Sequence, residues 1–376
     1  MAGRAIPRPR MPDDLLEPRL IRMPDLAPGQ WLNTEHPLSR EQMRGNVILL
    51  DFWDYTCVNC LRTLPYVVVW HRRYASFGLV VVGIHAPEFG FARHHAHVAR
   101  AIAEYEIGYP VLLDNEYQTW DRFAVKAWPT KVLIDRDGYI RRQWRGEGAY
   151  GEMERAIQAL LRPRDPEQPL PEPLAPLRPE DQPGAVCFRP TPEIHAGVCG
   201  GGLFGGGLGN PEGYATQGPV FYAMPPAEER IEGHIYLAGA WRAWPESVAF
   251  AGKTRGEVRV RYSGATANAV LSPSADPVDT ILDLRPTAAE PVVEVRQDGR
   301  YLTPDRAGAD VVVVEDGRSL LRLGQPGMVE LVRNPDFETH ELALTFCATG
   351  QALYSLAFTG CVASQSLHGR ETYTAR

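Results

Sequence analysis

Two apolar runs set the texture of the first half of the chain. Val47-Ile48-Leu49-Leu50 passes straight into Asp51-Phe52-Trp53, and Leu79-Val80-Val81-Val82-Gly83-Ile84 follows further on. Short runs without polar alternation predict strands buried on both faces of a sheet. Between them, residues 58–77 repeat apolar positions at helical spacing, with Pro65 inside as a kink. Residues 92–106 predict a second helix that stops near Gly108. A short strand over Pro110–Leu113 and a helical turn over Tyr117–Phe123 come next. Trp128-Pro129-Thr130 opens a strand, Lys131–Ile134, and Asp137-Gly138 turns it back into Tyr139–Trp144. Residues 150–162 close the series as a helix. Upstream, Trp31 falls in a short strand, and Ser39 with Gln42 forms a capping box. Residues 1–24 are rich in Pro and Arg and read as a poorly ordered leader.

The texture changes after residue 162. Residues 163–183 carry a proline at nearly every second or third position, the signature of a semi-rigid extended linker. The Gly-rich run 197–209 lacks the Gly-Lys-Ser/Thr ending of a phosphate loop and predicts a mobile surface loop. From residue 233 onward the chain reads as short strands and turns. Glu257–Tyr262 alternates with period two, and Val311–Val314, Met328–Val332, Glu341–Phe346 and Leu353–Phe358 are further strands. Asp298-Gly299 and Asp316-Gly317 are hairpin turns. The expected architecture is an α/β domain over 25–162, a linker over 163–183, and an all-β sandwich of jelly-roll type over 184–376.

The 376 residues give room for two such domains, and 44% hydrophobic with 23% charged residues fits well-cored folds. Lys plus Arg total 39 against 46 Asp plus Glu, a net charge of −7, which gives no reason to expect a nucleic-acid partner. No apolar run approaches the ~20 residues that cross a bilayer, so no membrane insertion is expected. Arg4, Arg8 and Arg10 are followed by Asp13 and Asp14 where a secretory signal would have its apolar core. As written, the sequence points to the cytoplasm. An incorrectly placed start site would make the protein extracytoplasmic.

The chemistry concentrates in Cys57-Val58-Asn59-Cys60, which follows a strand and opens a helix. A Cys at a helix N-terminus sits among unpaired N–H groups and the positive end of the helix dipole, which favour thiolate over thiol. Cys57 is therefore the expected nucleophile and Cys60 the resolving thiol. Half of a zinc site is the competing reading, but it needs a second ligand pair at suitable spacing, and Cys187 and Cys199 do not supply one. No metal and no organic cofactor are expected. The other four cysteines read as small buried hydrophobes, and Cys187 with Cys199 is the one pair to test as a disulfide. His94 and His97 share a helix face, where an exposed polar surface outweighs a metal site. Trp241 and Trp244 offer two roles, core packing or a flat surface for a sugar ring, so carbohydrate is a candidate ligand of the C-terminal domain.

With these motifs in place, residues 25–162 resemble the thioredoxin-like TlpA/ResA-type thiol–disulfide oxidoreductases. Asp51-Phe52-Trp53…Cys57-Val58-Asn59-Cys60, Gly83–Phe89, Tyr109–Asn115 and Thr191-Pro192-Glu193 resemble the soluble part of DipZ proteins, a thioredoxin-like domain with a C-terminal β-sandwich. The resemblance implies a redox pair in Cys57 and Cys60. It also implies a buried proton acceptor for the resolving thiol in Asp51, against the plainer reading of a paired structural Asp. It places Glu88 at an acidic position of the ResA-like branch, against a solvated loop residue. Pro129 matches the cis-proline that faces the dithiol, and Trp128 would border the substrate groove beside Thr56. Thr56 stands where thioredoxins usually carry Trp, and Val58-Asn59 replaces Gly-Pro.

The function this implies is exchange of disulfides with a protein or small-thiol partner. Two alternatives come from other classes: a thiol peroxidase using Cys57, for which the expected Pro, Thr and Cys spacing is missing, and a glycan- or protein-binding module on the β-sandwich.

Overall fold

The structure, a computed structural model, describes residues 15–161, 169–200, 206–214, 216–276, 279 and 291–363. The described residues fall into two compact units, those of Met1–Glu88 with Ala92–Leu177 and those of Phe89–Phe91 with Arg178–Arg376.

The first unit is built on a six-stranded sheet. Its elements in chain order are β1 (Gln30–Leu32), α1 (Arg40–Met43), β2 (Val47–Trp53), α2 (Val58–Tyr74), β3 (Leu79–His85), α3 (His95–Glu104), β4 (Val111–Leu113), α4 (Gln118–Arg122), β5 (Thr130–Ile134), β6 (Ile140–Arg145) and α5 (Tyr150–Leu161). The strand order is β1-β4-β3-β2-β5-β6. β2, β3 and β4 run parallel to their neighbours in that trio, while β5 and β6 join as an antiparallel hairpin. All seven residues of β2 are buried, as a strand covered on both faces requires. Ile48, Leu50 and Phe52 face a core with Val82, Ile84, Leu112, Val132 and Ile134. The capping box at Ser39 and Gln42 is present, with both reciprocal bonds made.

Two stretches are better ordered than their composition suggests. Residues 1–14 of the expected leader lie outside the described residues, but 15–24 run beside β6. Glu17 N donates to Arg141 O at 2.6 Å, Met23 N to Gly138 O at 2.9 Å, and Ile140 N to Ile21 O at 2.8 Å. Leu15 and Met23 are buried. Over 169–177 the proline stretch is bonded to its own unit, while its residues 163–168 lie outside the described set. Extended backbone turns its polar groups outward, and α2 and α5 collect them. Gln158 Nε2 donates to Pro171 O at 2.8 Å, Leu174 N to Glu154 Oε2 at 2.8 Å, and Leu177 N to the Tyr66 hydroxyl at 2.7 Å.

The second unit is strand-rich around a large apolar core that includes Trp241, Phe250, Tyr262, Leu342, Phe346 and Leu356. Its spine is Gly256–Ser272, a 17-residue strand. One end of it pairs with His234–Ala243 and with residues 338–346; the other pairs with Ala352–Thr359 and residues 327–333. Met328–Val332 and Glu341–Phe346, read separately in the sequence, are parts of one strand, Gly327–Phe346. Asn334-Pro335-Asp336 looks like a turn, yet the chain only slips register there, opposite Gly264 and Thr266. Asn334 fixes the slip. Its Nδ2 donates to Gly264 O at 3.0 Å and the Tyr262 hydroxyl at 3.2 Å, and its Oδ1 accepts from Gln297 Nε2 at 2.9 Å. The Asp298-Gly299 turn is made, with φ of 52° and 76° as a tight primed hairpin needs.

Two sequence expectations about cysteines are corrected in this unit, and one choice left open for Trp241 is decided. Cys187 is bonded to Cys361, not to Cys199. Val186–Cys187 and Cys361–Val362 form a two-stranded antiparallel ribbon that sets the two cysteines directly opposite, a pairing across 174 residues that local spacing cannot reveal. Cys199 and Cys347 are exposed and not buried hydrophobes. Trp241 is fully buried, packed on Phe250 and Phe346 at centroid distances of 5.5 and 5.1 Å, so it offers no face to a sugar. Trp244 is half-buried beneath the Arg242 guanidinium, 4.4 Å from its ring centre. The Gly-rich run contributes Gly207–Leu208, a short strand parallel to His234–Ile235; its residues 201–205 lie outside the described set.

No helix among the described residues is long and apolar enough to cross a membrane.

Candidate active site

The site forms where β2 ends and α2 begins. β2 carries the chain up through the sheet, the backbone turns over 54–57, and Cys57 becomes the N-cap of α2. An N-cap side chain ordinarily accepts from an amide in the first turn; here the Cys57 sulfur does so, from Cys60 N at 3.2 Å. Cys60 Sγ lies 2.6 Å from Cys57 Sγ. Cys57 is partly exposed, whereas Cys60 is buried at 1%. An outer sulfur on helix-terminal amides and an inner one beside it is the geometry of an attacking and a resolving thiol.

On β2, the strand that leads into the dithiol turn, Asp51 is fully buried. The antiparallel register of β2 with β5 sets it directly opposite Lys131. Lys131 is also fully buried, and its Nζ stands 2.9 Å from Asp51 Oδ1. No donor among the described residues bonds Asp51 Oδ2. The Tyr109 hydroxyl is buried in the same region, and burial together with the Asp51 charge pushes its pKa well up.

Two further residues form a buried polar pair beside the turn that carries Cys57. Asp54 is fully buried and its carboxylate is fully engaged. Oδ2 accepts the Thr56 hydroxyl at 2.5 Å and Glu88 N at 2.7 Å; Oδ1 faces His85 Nε2 at 3.0 Å and Thr56 N at 3.4 Å. Burial alone would push the Asp54 pKa up. The bonds and charge offered by His85, with those from Thr56 and the Glu88 amide, outweigh it and hold the carboxyl below its ordinary value. His85 ends β3, fully buried, with the Tyr55 ring stacked on it at 5.7 Å and the Trp53 ring edge-on at 5.3 Å.

The residues implied as a substrate groove, Trp128, Pro129 and Thr56, and the acidic Glu88 implied as catalytic take different positions. The Trp128–Pro129 bond is cis. Trp128 is half-buried, packed on Trp120 at 4.5 Å, with its Nε1 donating to Ala86 O at 3.0 Å. Glu88 is half-buried, and its amide is held by Asp54. Thr56 is fully buried with its hydroxyl committed to Asp54, so its side chain presents no surface to a substrate. His97, expected on an exposed polar face, is instead on the buried side of α3, its ring 5.3 Å from that of His94. From the sequence, no role is assigned to Lys131 or Asp54, and His85 enters only within the Gly83–Phe89 match and as a histidine without zinc-finger spacing. The one available signal was charge within apolar strands, and it drew attention to Asp51 alone.

Comparison with known proteins gives the same assignment from an independent direction. Residues 45–140 match the family model described as "Thioredoxin-like", and residues 204–359 match "Thioredoxin like C-terminal domain". Protein DipZ of Mycobacterium tuberculosis (strain CDC 1551 / Oshkosh) is 40% identical over 213 residues, covering 56% of this chain and 29% of DipZ. The chain thus spans less than a third of the length of that relative. Thiol-disulfide oxidoreductase ResA of Bacillus cereus (strain ATCC 10987 / NRS 248) is 24% identical over 120 residues, 32% of this chain and 66% of ResA. The crystal structure of a putative thiol:disulfide interchange protein DsbE from Chlorobium tepidum aligns with a TM-score of 0.34 at 26% identity, covering 39% of this chain and 99% of that one. The two family models and the DipZ match bear out the resemblance: a thioredoxin-like α/β domain followed by a strand-rich C-terminal domain.

Proposed function

We propose that this chain is a thiol–disulfide oxidoreductase that exchanges disulfides with protein or small-thiol partners through Cys57 and Cys60. The observation that carries the reading is the N-cap position of Cys57, partly exposed, with buried Cys60 Sγ 2.6 Å behind it.

In the reducing direction, the Cys57 thiolate attacks one sulfur of the substrate disulfide. A Cys57–substrate bond forms, the substrate S–S bond breaks, and the other substrate sulfur leaves as a thiolate. The Cys60 thiol then gives up its proton and attacks Cys57 Sγ. The mixed disulfide breaks, the second substrate thiol departs, and Cys57–Cys60 closes as a disulfide. Two electrons pass from the dithiol to the substrate. Asp51 takes the Cys60 proton, and the adjacent Lys131 ammonium offsets the carboxylate charge beforehand. Trp128 and Pro129 border the groove in which the substrate chain lies.

The test is insulin reduction with a chemical reductant as electron source. Cys57→Ser abolishes turnover, while Cys60→Ser accumulates a covalent protein–substrate mixed disulfide visible by non-reducing electrophoresis. Full activity in Cys57→Ser protein would refute the proposal.

A further inference from the structure

We infer that Asp54 is a positioning residue: it fastens together the segments that form the rim of the dithiol cleft, and so sets how well the cleft seats a protein disulfide. The inference rests on the reading of Cys57 and Cys60 as an exchange site and goes beyond it in naming what shapes the mouth.

The inferred rim consists of three segments far apart in sequence that hydrogen bonds link in series: the 54–57 turn that carries Cys57, the 86–88 loop that follows β3, and the Trp128–Pro129 corner that precedes β5. Backbone pairing reaches their lower ends. Cys57 N donates to Asp54 O at 3.3 Å, and Ala86 N to Trp53 O at 3.1 Å. Above that level a chain of side-chain bonds takes over. The Thr56 hydroxyl and amide donate to the Asp54 carboxylate, Glu88 N donates to the same group, and Trp128 Nε1 donates to Ala86 O in the same short loop. The Asp54 carboxylate is the point where the first segment is tied to the second, and Trp128 ties the second to the third.

The carboxylate is itself fixed from below. His85 Nε2 faces Oδ1, and an ionised carboxylate accepts, so Nε2 carries the hydrogen. His85 Nδ1 is buried with no hydrogen-bond partner among the described residues. The imidazole is held between the rings of Tyr55 and Trp53 and cannot swing away without displacing them. A buried carboxylate with four donors is costly to strand and correspondingly rigid when all four are in place. The Asp54 carboxylate bonds to Thr56, His85 and the Glu88 amide. It acts through Thr56 and through the Glu88 amide.

Rim geometry matters most for a substrate that must lie along it. An extended protein segment meets all three rim segments, whereas a small disulfide meets only the sulfurs. Misplacing a binding group by about 1 Å can cost on the order of 10²-fold in rate. The expected signature of losing Asp54 is therefore a selective loss with protein substrates.

The experiment compares wild-type protein with Asp54→Ala, Asp54→Asn and Thr56→Val, using insulin and oxidised glutathione as substrates, with thermal melts confirming the folded fraction. Asp54→Ala is expected to raise KM for insulin about tenfold or more, while turnover of oxidised glutathione changes by less than about threefold. Asp54→Asn, which keeps one acceptor oxygen, recovers part of the loss, and Thr56→Val reproduces part of it. If Asp54→Ala does not fold, the other two variants carry the same contrast. Folded variants with insulin KM within twofold of wild type overturn the inference, as does an equal loss on both substrates that tracks the unfolded fraction. Wild-type protein inactive on both substrates removes the exchange reading and this inference with it.

Discussion

Lys131 Nζ lies 2.9 Å from Asp51 Oδ1, and both side chains are 1% exposed. The two residues stand opposite each other on antiparallel β2 and β5. A buried ion pair adds little over an apolar pair of the same volume, but removing one partner strands the other. Lys131→Met should therefore destabilise the protein by about 3 kcal/mol. The double variant Asp51→Leu/Lys131→Met should lose much less than the sum of the two single changes. Urea unfolding of the four proteins gives the coupling directly; additive losses would mean that the pair does not interact.

The proposed proton transfer through Asp51 makes a kinetic statement. Asp51→Asn keeps the shape and removes the base, so the Cys60 step should slow by about 10²-fold while the first attack by Cys57 is little changed. Rapid mixing of reduced protein with a fluorescent disulfide separates the two phases. A second phase as fast as in wild type would remove Asp51 from the chemistry.

The Cys187–Cys361 bond predicts both a covalent linkage and a stability change. A digest of unreduced protein should yield the Cys187–Cys361 linked peptide and no Cys187–Cys199 peptide. Cys187→Ser/Cys361→Ser should cost about 2–5 kcal/mol, since the bond closes most of the second unit into one loop. Reduction of wild-type protein should bring it to the stability of the double variant; a reduced protein as stable as the oxidised one would show that the bond contributes nothing.

Asp54 gives a defined pH dependence. Its pKa is held below the ordinary 3.8 in the folded state, so the unfolded chain takes up a proton first as the pH falls. The stability contributed by this carboxylate is fully present above 3.8 and is lost as the pH drops through the lower folded value. The difference in unfolding free energy between wild type and Asp54→Asn should thus be constant near neutrality and shrink below about pH 4. A difference that grows on acidification would reverse the sign of the shift.

The sequence was most informative where function depends on neighbours in the chain. Cys57 and Cys60 sit one helical turn apart, the strand before them is continuous apolar text, and both facts are visible without coordinates. Lys131 was hidden because its meaning lies in a register with Asp51, far off in the chain, and a lone Lys in Thr130–Ile134 looks like an ordinary strand-end charge. Asp54 and His85 were hidden for the same reason, each at the end of a different parallel strand. The Cys187–Cys361 ribbon joins the first and last strands of its unit, the separation at which spacing carries least information. Pro-rich composition points to a semi-rigid extended linker because it reports backbone conformation but not whether Tyr66, Glu154 and Gln158 collect the backbone groups it exposes.

The strand Gly256–Ser272 belongs to both ends of its domain's pairing scheme, and most of its partners arrive late. A ribosome releases it well before Gly327–Phe346 and Ala352–Thr359 exist. Until then its C-terminal segment, Ala267–Leu271, apolar except for Asn268, is a strand with two open edges. Such a strand is a template for pairing with other nascent chains. The second unit thus has no stable half: its assembly waits for the final strands, and a chain terminated before residue 327 is a candidate for chaperone capture or aggregation, not for independent folding.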